Sequence, residues 1–308
     1  MTTIGITGSE GLIGTALVRA LIERGAVVRR LDLCVPTGQP GRGDVLDRSA
    51  VAQLVDGCAG VVHLAAVSRV VWGEQNPALC WDTNVIGTQH VIDACLSQRR
   101  RPWLLLASSR EVYGQARQLP VAEDAPLAPL NVYGRSKAEA EQRLCAARGH
   151  GLGTAVLRFS NVYGDTRDHA DRVIPAFARA AALGETLRID GPDHLFDFTH
   201  LADTVRGVLA VMDRLAQGAQ LPPIHLVTGH GTSLGQLAEL ALRAGCGRSR
   251  IAYAPPRSYD VAQFVGDPSL AQRLLGFRAE VALTDGLAHL VAAYSAVGKR
   301  QTCKQVYG

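Results

Sequence analysis

At 308 residues, 47% hydrophobic and 19% charged, the chain has enough apolar mass for one large or two closely joined globular domains, and too few charges for a disordered one. Its formal net charge of +4 comes from scattered arginines; the one dense run, Arg99-Arg100-Arg101, closes an expected helix where cations complement the dipole, so no nucleic-acid partner is expected. The seven cysteines form no Cys-x-x-Cys pair, which suits reduced thiols and gives no metal site, and no segment approaches the roughly 20 apolar residues that span a bilayer. The expected setting is therefore the cytoplasm, with no membrane partner.

In chain order, strands are expected at Thr3–Thr7, Val27–Leu33, Gly60–Ala65, Trp103–Ser108 and Thr154–Phe159. Helices are expected near Gly11–Arg24, Asp47–Val55, Pro77–Gln98 and Asn131–Arg148. Apolar runs that alternate with amphipathic, helix-length segments predict an α/β fold with a doubly wound parallel sheet. The rhythm breaks after Asn161-Val162-Tyr163-Gly164. A charged stretch, Asp165–Asp171, precedes helices at Val173–Leu183, Leu201–Leu215, Leu234–Ala244 and Leu283–Val297. This divides the chain into a cofactor domain over residues 1–164 and a smaller, mostly C-terminal substrate lobe over 165–308, with a segment near 195–230 returning to the first. The last eleven residues, Gly298–Gly308, lack periodicity and read as a tail.

The first strand runs into "ITGSEGLIG", which places Gly8, Gly11 and Gly14, with Leu12 and Ile13, at a strand-to-helix junction. Glycines there permit a tight turn and close approach of backbone to a pyrophosphate, which free N–H groups of the helix start can hold. Asp32, at the end of the second strand, can accept both ribose hydroxyls and would repel a 2′-phosphate, so the pattern predicts NAD rather than NADP. Arg29 and Arg30 precede it on opposite strand faces, where solvent exposure is the plainer reading. Asp44, followed by Val45, ends a short strand and either meets the adenine amino group or caps a turn.

At "NVYGRSK", Tyr133 and Lys137 lie i,i+4 on one helical face, with Ser109 of "SSREVYG" upstream at a strand end. With the glycine motif, and with "HLAA", "NVIGT", "LRFSNVYG", "DFTHLAD" and "LGF" in order, the chain resembles the extended short-chain dehydrogenase/reductases, which carry a Rossmann fold, and within them the nucleotide-sugar epimerases and dehydratases. The resemblance implies that Ser109 holds the reacting oxygen, Tyr133 takes its proton while C4–H leaves as hydride to NAD, and Lys137 binds the nicotinamide ribose. A free phenol has a pKa of about 10, so the Lys137 ammonium and the oxidised nicotinamide are expected to favour the phenolate. Leu64, Ala65 and Ala66 would line the cofactor and Asn84 would order the strands around it. Asn161, Arg257 and Asp260 would meet the substrate. Each also has a plainer reading as a strand end, a buried hydrogen-bonding side chain, a turn or a solvated charge. A homodimer through the helices at Pro77–Gln98 and Asn131–Arg148 follows from the resemblance as well.

The chain departs from the pattern of the family it resembles in two places. Phe196 stands where the epimerases usually carry an arginine for the substrate pyrophosphate, which removes one guanidinium fork. Arg110 stands where dehydratases carry an aspartic acid beside the glutamate that is here Glu111, and a guanidinium cannot donate that proton. The leading expectation is an NAD-dependent epimerase that transiently oxidises C4 of a nucleotide-activated sugar. The alternatives are a 4,6-dehydratase using Glu111, an NAD(P)-dependent sugar oxidoreductase, and a cofactor-sensing protein without chemistry. Retention of both Tyr133 and Lys137 argues against the last.

Overall fold

The computed structural model describes residues 2–245, 247–256 and 260–306, with side chains described through Val297. The N-terminal half alternates as expected: β1 (Thr3–Thr7), α1 (Leu12–Glu23), β2 (Val27–Leu31), α2 (Arg48–Val55) and β3 (Gly60–His63). Next come α3 (Val70–Gln75), α4 (Pro77–Trp81), α5 (Gly87–Ser97), β4 (Trp103–Ser109), α6 (Val132–Arg148) and β5 (Thr154–Phe159). Beyond these lie β6 (Asn161–Tyr163), α7 (Val173–Leu183), β7 (Leu187–Asp190), β8 (Leu195–His200), α8 (Leu201–Ala216) and β9 (Ile224–Leu226). The chain finishes with β10 (Gly231–Ser233), α9 (Leu234–Ala244), β11 (Ile251–Ala254), β12 (Gln263–Phe264), α10 (Ser269–Leu275) and α11 (Leu283–Val306).

The main sheet is parallel throughout, in the order β2-β1-β3-β4-β5-β9. β4, of sequence WLLLASS, is buried along nearly its whole length, as a strand covered on both faces must be. One face packs Ile4, Ile6 and Leu105 against Leu17 of α1 and Val208 of α8. The other packs Val61, Leu104 and Leu106 against Val91 of α5 and Leu144 of α6. The two layers make the sheet doubly wound, and its all-parallel pairing brings every strand's carboxyl end to one edge, where ligands of such sheets bind. A separate core of Phe177, Phe196, Phe198, Leu237, Phe264 and Leu290 holds the remaining elements. There β8 pairs with β6, β10 and β12, and β7 pairs with β11.

The structure corrects several expectations. β3 stops at His63: Leu64 N makes the last ladder bond, to Thr7 O (3.1 Å), and Ala65 N then turns to the Thr7 side chain, Oγ1 (3.2 Å). β2 likewise ends at Leu31, where Asp32 N turns to Gly41 O (2.9 Å). No strand ends at Asp44; only an isolated bridge, Asp32 to Arg42, lies nearby. The single helix expected over Pro77–Gln98 is interrupted by a π-turn at Asp82–Ile86. The extra residue of a π-turn re-aims a side chain, and within this one Asn84 reaches Val67 and Ser136. The segment expected as a tail continues α11 through Val306. Finally, β8 belongs to the second sheet, whereas β9 adds the sixth strand of the first.

Candidate active site

A cavity of about 800 Å³ opens along the carboxyl edge of the main sheet and runs between it and the second sheet. At one end it is walled by Gly8, Gly11, Leu12, Ile13 and Gly14. Gly11 is the N-cap of α1 and offers no side chain, so the helix's first N–H groups, which have no intrahelical acceptor, border the cavity. Gly14 is required by packing: a Cβ there would lie 2.1 Å from Gly8 O. Asp32 lines the same end, its carboxylate accepting from Glu10 N (2.9 Å) and Cys34 N (2.8 Å). Arg30 pairs with Glu10 at 3.3 Å, while Arg29 turns to the backbone of Gln53 and Asp56. Asp44 and Val45 also border the cavity, and Asp44 caps a local turn by accepting from Leu46 N (2.9 Å).

Leu64, Ala65 and Ala66 form the floor. Asn84 does not line the cavity with them. It is fully buried behind the floor, where its amide accepts from Val67 N (2.8 Å) and donates to Val67 O (3.1 Å) and Ser136 Oγ (2.9 Å). Asn84 thereby fastens the loop after β3 to α6, a positioning task that satisfies otherwise orphaned backbone groups.

Ser109, Glu111, Tyr133 and Lys137 meet at the centre. Ser109 ends β4 and caps the following 3₁₀ turn, Arg110–Tyr113, by accepting from Glu111 N (3.2 Å). Asn131 caps α6 through Gly134 N (2.7 Å) and donates to Glu111 Oε2 (2.8 Å), which locks the start of α6 against that turn. Gly134 makes the close approach possible, since a Cβ there would lie 2.5 Å from Glu111 O. One turn further, Lys137 Nζ donates to Ala107 O (2.9 Å). Burial lowers the Lys137 pKa to about 8. Burial also pushes the Tyr133 phenol up to about 12, offset in part by a hydrogen bond with Ser109 and by the Arg172 charge, while Glu111 adds to the rise. In the chain without its cofactor, burial is the largest influence on the phenol and outweighs the Ser109 hydrogen bond and the Arg172 charge.

The far wall carries Phe196, Asn161, Asp260, Arg188 and His194. Asn161 is a strand residue whose amide donates to Asp197 O (3.4 Å), not a turn residue. Arg257 lies outside the described residues. Arg172 pairs with the buried Asp168 at 3.2 Å, and Arg167 pairs with Asp165. Arg69 and Trp72 of the α3 region also line the cavity and were not singled out from sequence. Arg69 holds Asp171 through two contacts, and Trp72 meets His169 edge-on at 4.7 Å. No periodicity or motif marks either residue. The acids of "DFTHLAD" are tethers: Asp197 accepts from Thr228 N (3.0 Å) and Gly229 N (2.7 Å), and Asp203 from Glu280 N (3.1 Å) and Val281 N (3.0 Å). Tyr113 is buried outside the cavity, bonded to His225 Nε2 at 2.6 Å.

Residues 4–226 match the model of the NAD dependent epimerase/dehydratase family. The chain belongs to this family. It is 32% identical to a dTDP-glucose 4,6-dehydratase of Streptomyces griseus, over 96% of this chain and 94% of that one. The UDP-glucose 4-epimerase of Thermotoga maritima, solved with UDP-glucose, superposes with a TM-score of 0.89 at 26% identity, covering 96% of this chain and 99% of that one. MoeE5, solved with UDP-glucuronic acid and NAD, gives 0.85 at 29% identity, covering 97% and 100%. The protein is thus an NAD-dependent sugar epimerase or dehydratase of the extended short-chain type, and NAD is its cofactor. The residues present fit that cofactor: a bare helix N-terminus suits a pyrophosphate, and the Asp32 carboxylate suits a diol.

Proposed function

We propose that the protein is an epimerase that acts at C4 of a nucleotide-activated sugar and keeps its cofactor through the cycle. The observation that carries this reading is the convergence of Ser109, Tyr133 and Lys137 with the α1 N-terminus and Asp32 in one cavity. Gly11, Leu12, Ile13 and Asp32 would hold NAD, with Leu64, Ala65 and Ala66 as the floor and Lys137 at its ribose. Bound NAD supplies an acceptor for the C4 hydrogen and a positive charge within the cavity. Ser109 orients the C4 hydroxyl. Tyr133 accepts its proton as the carbonyl forms and returns it once the sugar has presented its other face. Because the chain alone holds the phenol near 12, Tyr133 becomes a competent base only in the cofactor-loaded protein. Asn161, Asp260 and Arg257 are assigned to the substrate.

Dehydration would require Glu111 as an acid or base, yet both its oxygens are engaged: Oε1 by Arg110 Nη2 (3.0 Å) and Oε2 by Asn131. This favours epimerisation over elimination. We take residues 1–164, completed by β9 and α8, as the cofactor unit and the remainder as the substrate lobe. We also assign a homodimer across α4, α5 and α6, supported by Leu79 and Trp81 of α4, which are 48% and 39% exposed in the monomer. A cytoplasmic setting fits the free, buried thiols of Cys58, Cys80 and Cys95.

The test is to incubate the protein with a panel of nucleotide sugars and follow the products by NMR. A C4 stereoisomer without accumulation of reduced cofactor is expected. A 4-keto-6-deoxy product would replace this reading with dehydration, and stoichiometric reduced cofactor would replace it with net oxidation.

A further inference from the structure

Several arginines line the cavity, and most are neutralised by an aspartate: Arg69 by Asp171, Arg167 by Asp165, Arg172 by Asp168 and Arg188 by Asp190. Arg110 differs. Its guanidinium lies 4.4 Å over the ring of Phe196, and its Nη2 is 3.0 Å from Glu111 Oε1. Its Nη1 is shut off from solvent with no hydrogen-bond partner among the described residues. The side chain is only 12% exposed. A planar cation pinned by an aromatic face and one carboxylate loses little further entropy on binding, and a buried donor without an acceptor is costly until one arrives. Phe196 is the position at which the chain lacks the expected phosphate-binding arginine, and the guanidinium stacked on that ring comes from Arg110 instead.

We propose that Arg110 binds an oxyanion of the substrate, with Phe196 as its platform and Glu111 as its brace. The proposal rests on the nucleotide-sugar reading above and adds a recognition residue to it. Two groups of such a substrate present the required chemistry: the diphosphate, and a carboxylate on the sugar ring. Arg110 directly follows Ser109, which places it beside the reacting end of the sugar, and it stacks on the residue that replaces the diphosphate clamp, so it stands within the reach of either.

The experiment is calorimetric titration of the NAD-loaded protein with UDP-glucose and UDP-glucuronate, for the parent, Arg110→Met and Arg110→Gln. Methionine keeps length and apolar contact with Phe196, and glutamine retains a donor for Glu111, so the second variant reports if the first fails to fold. Loss of a charge-assisted contact predicts a roughly tenfold or greater rise in Kd, with NAD affinity unchanged. An equal loss for both ligands assigns the contact to the diphosphate; a loss confined to UDP-glucuronate assigns it to the carboxylate. Unchanged binding of both ligands would overturn the proposal, as would a parallel loss of NAD affinity, which marks a structural role. If the parent binds neither ligand, the nucleotide-sugar reading falls and takes this one with it.

Discussion

Replacing Lys137 by Met should make the protein more stable while abolishing its turnover. Lys137 is 3% exposed, and its pKa falls from the ordinary 10.5 to about 8 because burial penalises the ammonium. A difference of that size corresponds to a cost of about 3 kcal/mol for holding the charge inside the folded protein. The hydrogen bond to Ala107 O returns about 1 kcal/mol, which methionine forfeits. The net expectation at pH 7 is a gain of about 2 kcal/mol, or a few degrees in Tm for a chain of this size. The sign with pH follows from proton counting. Below about pH 8 both folded and unfolded parent carry the ammonium and the cost is fully present. Between about 8 and 10.5 the folded state has released a proton that the unfolded state still holds, so the parent gains stability with rising pH. Tyr133, ordinarily at 10 and pushed up to about 12 by burial, stays largely protonated through the window tested and contributes little. Urea denaturation of parent and variant from pH 6.5 to 9.5 should show a gap that narrows above pH 8. A variant less stable than the parent at pH 7, or a gap independent of pH, would show that the buried ammonium does not carry this cost.

Gly14→Ala forces a Cβ to 2.1 Å from Gly8 O, so the loop must open at a cost of about 1–3 kcal/mol and NAD affinity should collapse in a fluorescence titration; parental affinity would show that the loop is not the cofactor cradle. Asp32→Ala should weaken NAD by roughly tenfold or more while leaving nucleotide-sugar affinity alone, as measured by calorimetry; an unchanged NAD constant removes Asp32 from the site. Behind the sheet, Arg158 and Glu141 form a buried ion pair (2.6 Å), extended through Tyr113 and Ser108. Arg158→Met should cost about 3–5 kcal/mol in chemical denaturation by stranding the Glu141 charge, and adding Glu141→Met should recover much of it. A double variant as unstable as the single one would contradict that account.

The parallel sheet was legible because β1, β4 and β5 are short apolar runs bounded by polar residues, and because a strand covered on both faces needs little else. Tyr133 and Lys137 were legible for a similar reason: a helical i,i+4 spacing fixes their common face wherever the helix is placed. What sequence could not supply were features set by contacts distant along the chain. The π-turn around Asn84 accompanies contacts of its amide with Val67 and Ser136, and neither partner is marked by periodicity. The backbone donors that Asp197 and Asp203 satisfy, at Gly229 and Val281, lie far along the chain and carry no mark in the sequence. Arg110 read only as a departure from a dehydratase pair, since stacking on Phe196 joins residues 86 positions apart. The Tyr133 environment shows the same limit: a lysine four residues away suggests a lowered phenol pKa, but the burial that raises it belongs to the assembled fold.

In the proposed mechanism Tyr133 exchanges a proton with the sugar in a site that binds NAD independently of it. The most direct measurement compares parent and Tyr133→Phe proteins for cofactor content, released by denaturation, and for turnover of the nucleotide sugar identified by NMR. Equal cofactor content and a turnover reduced by several orders of magnitude are expected. A phenylalanine variant that keeps most of its activity would contradict it.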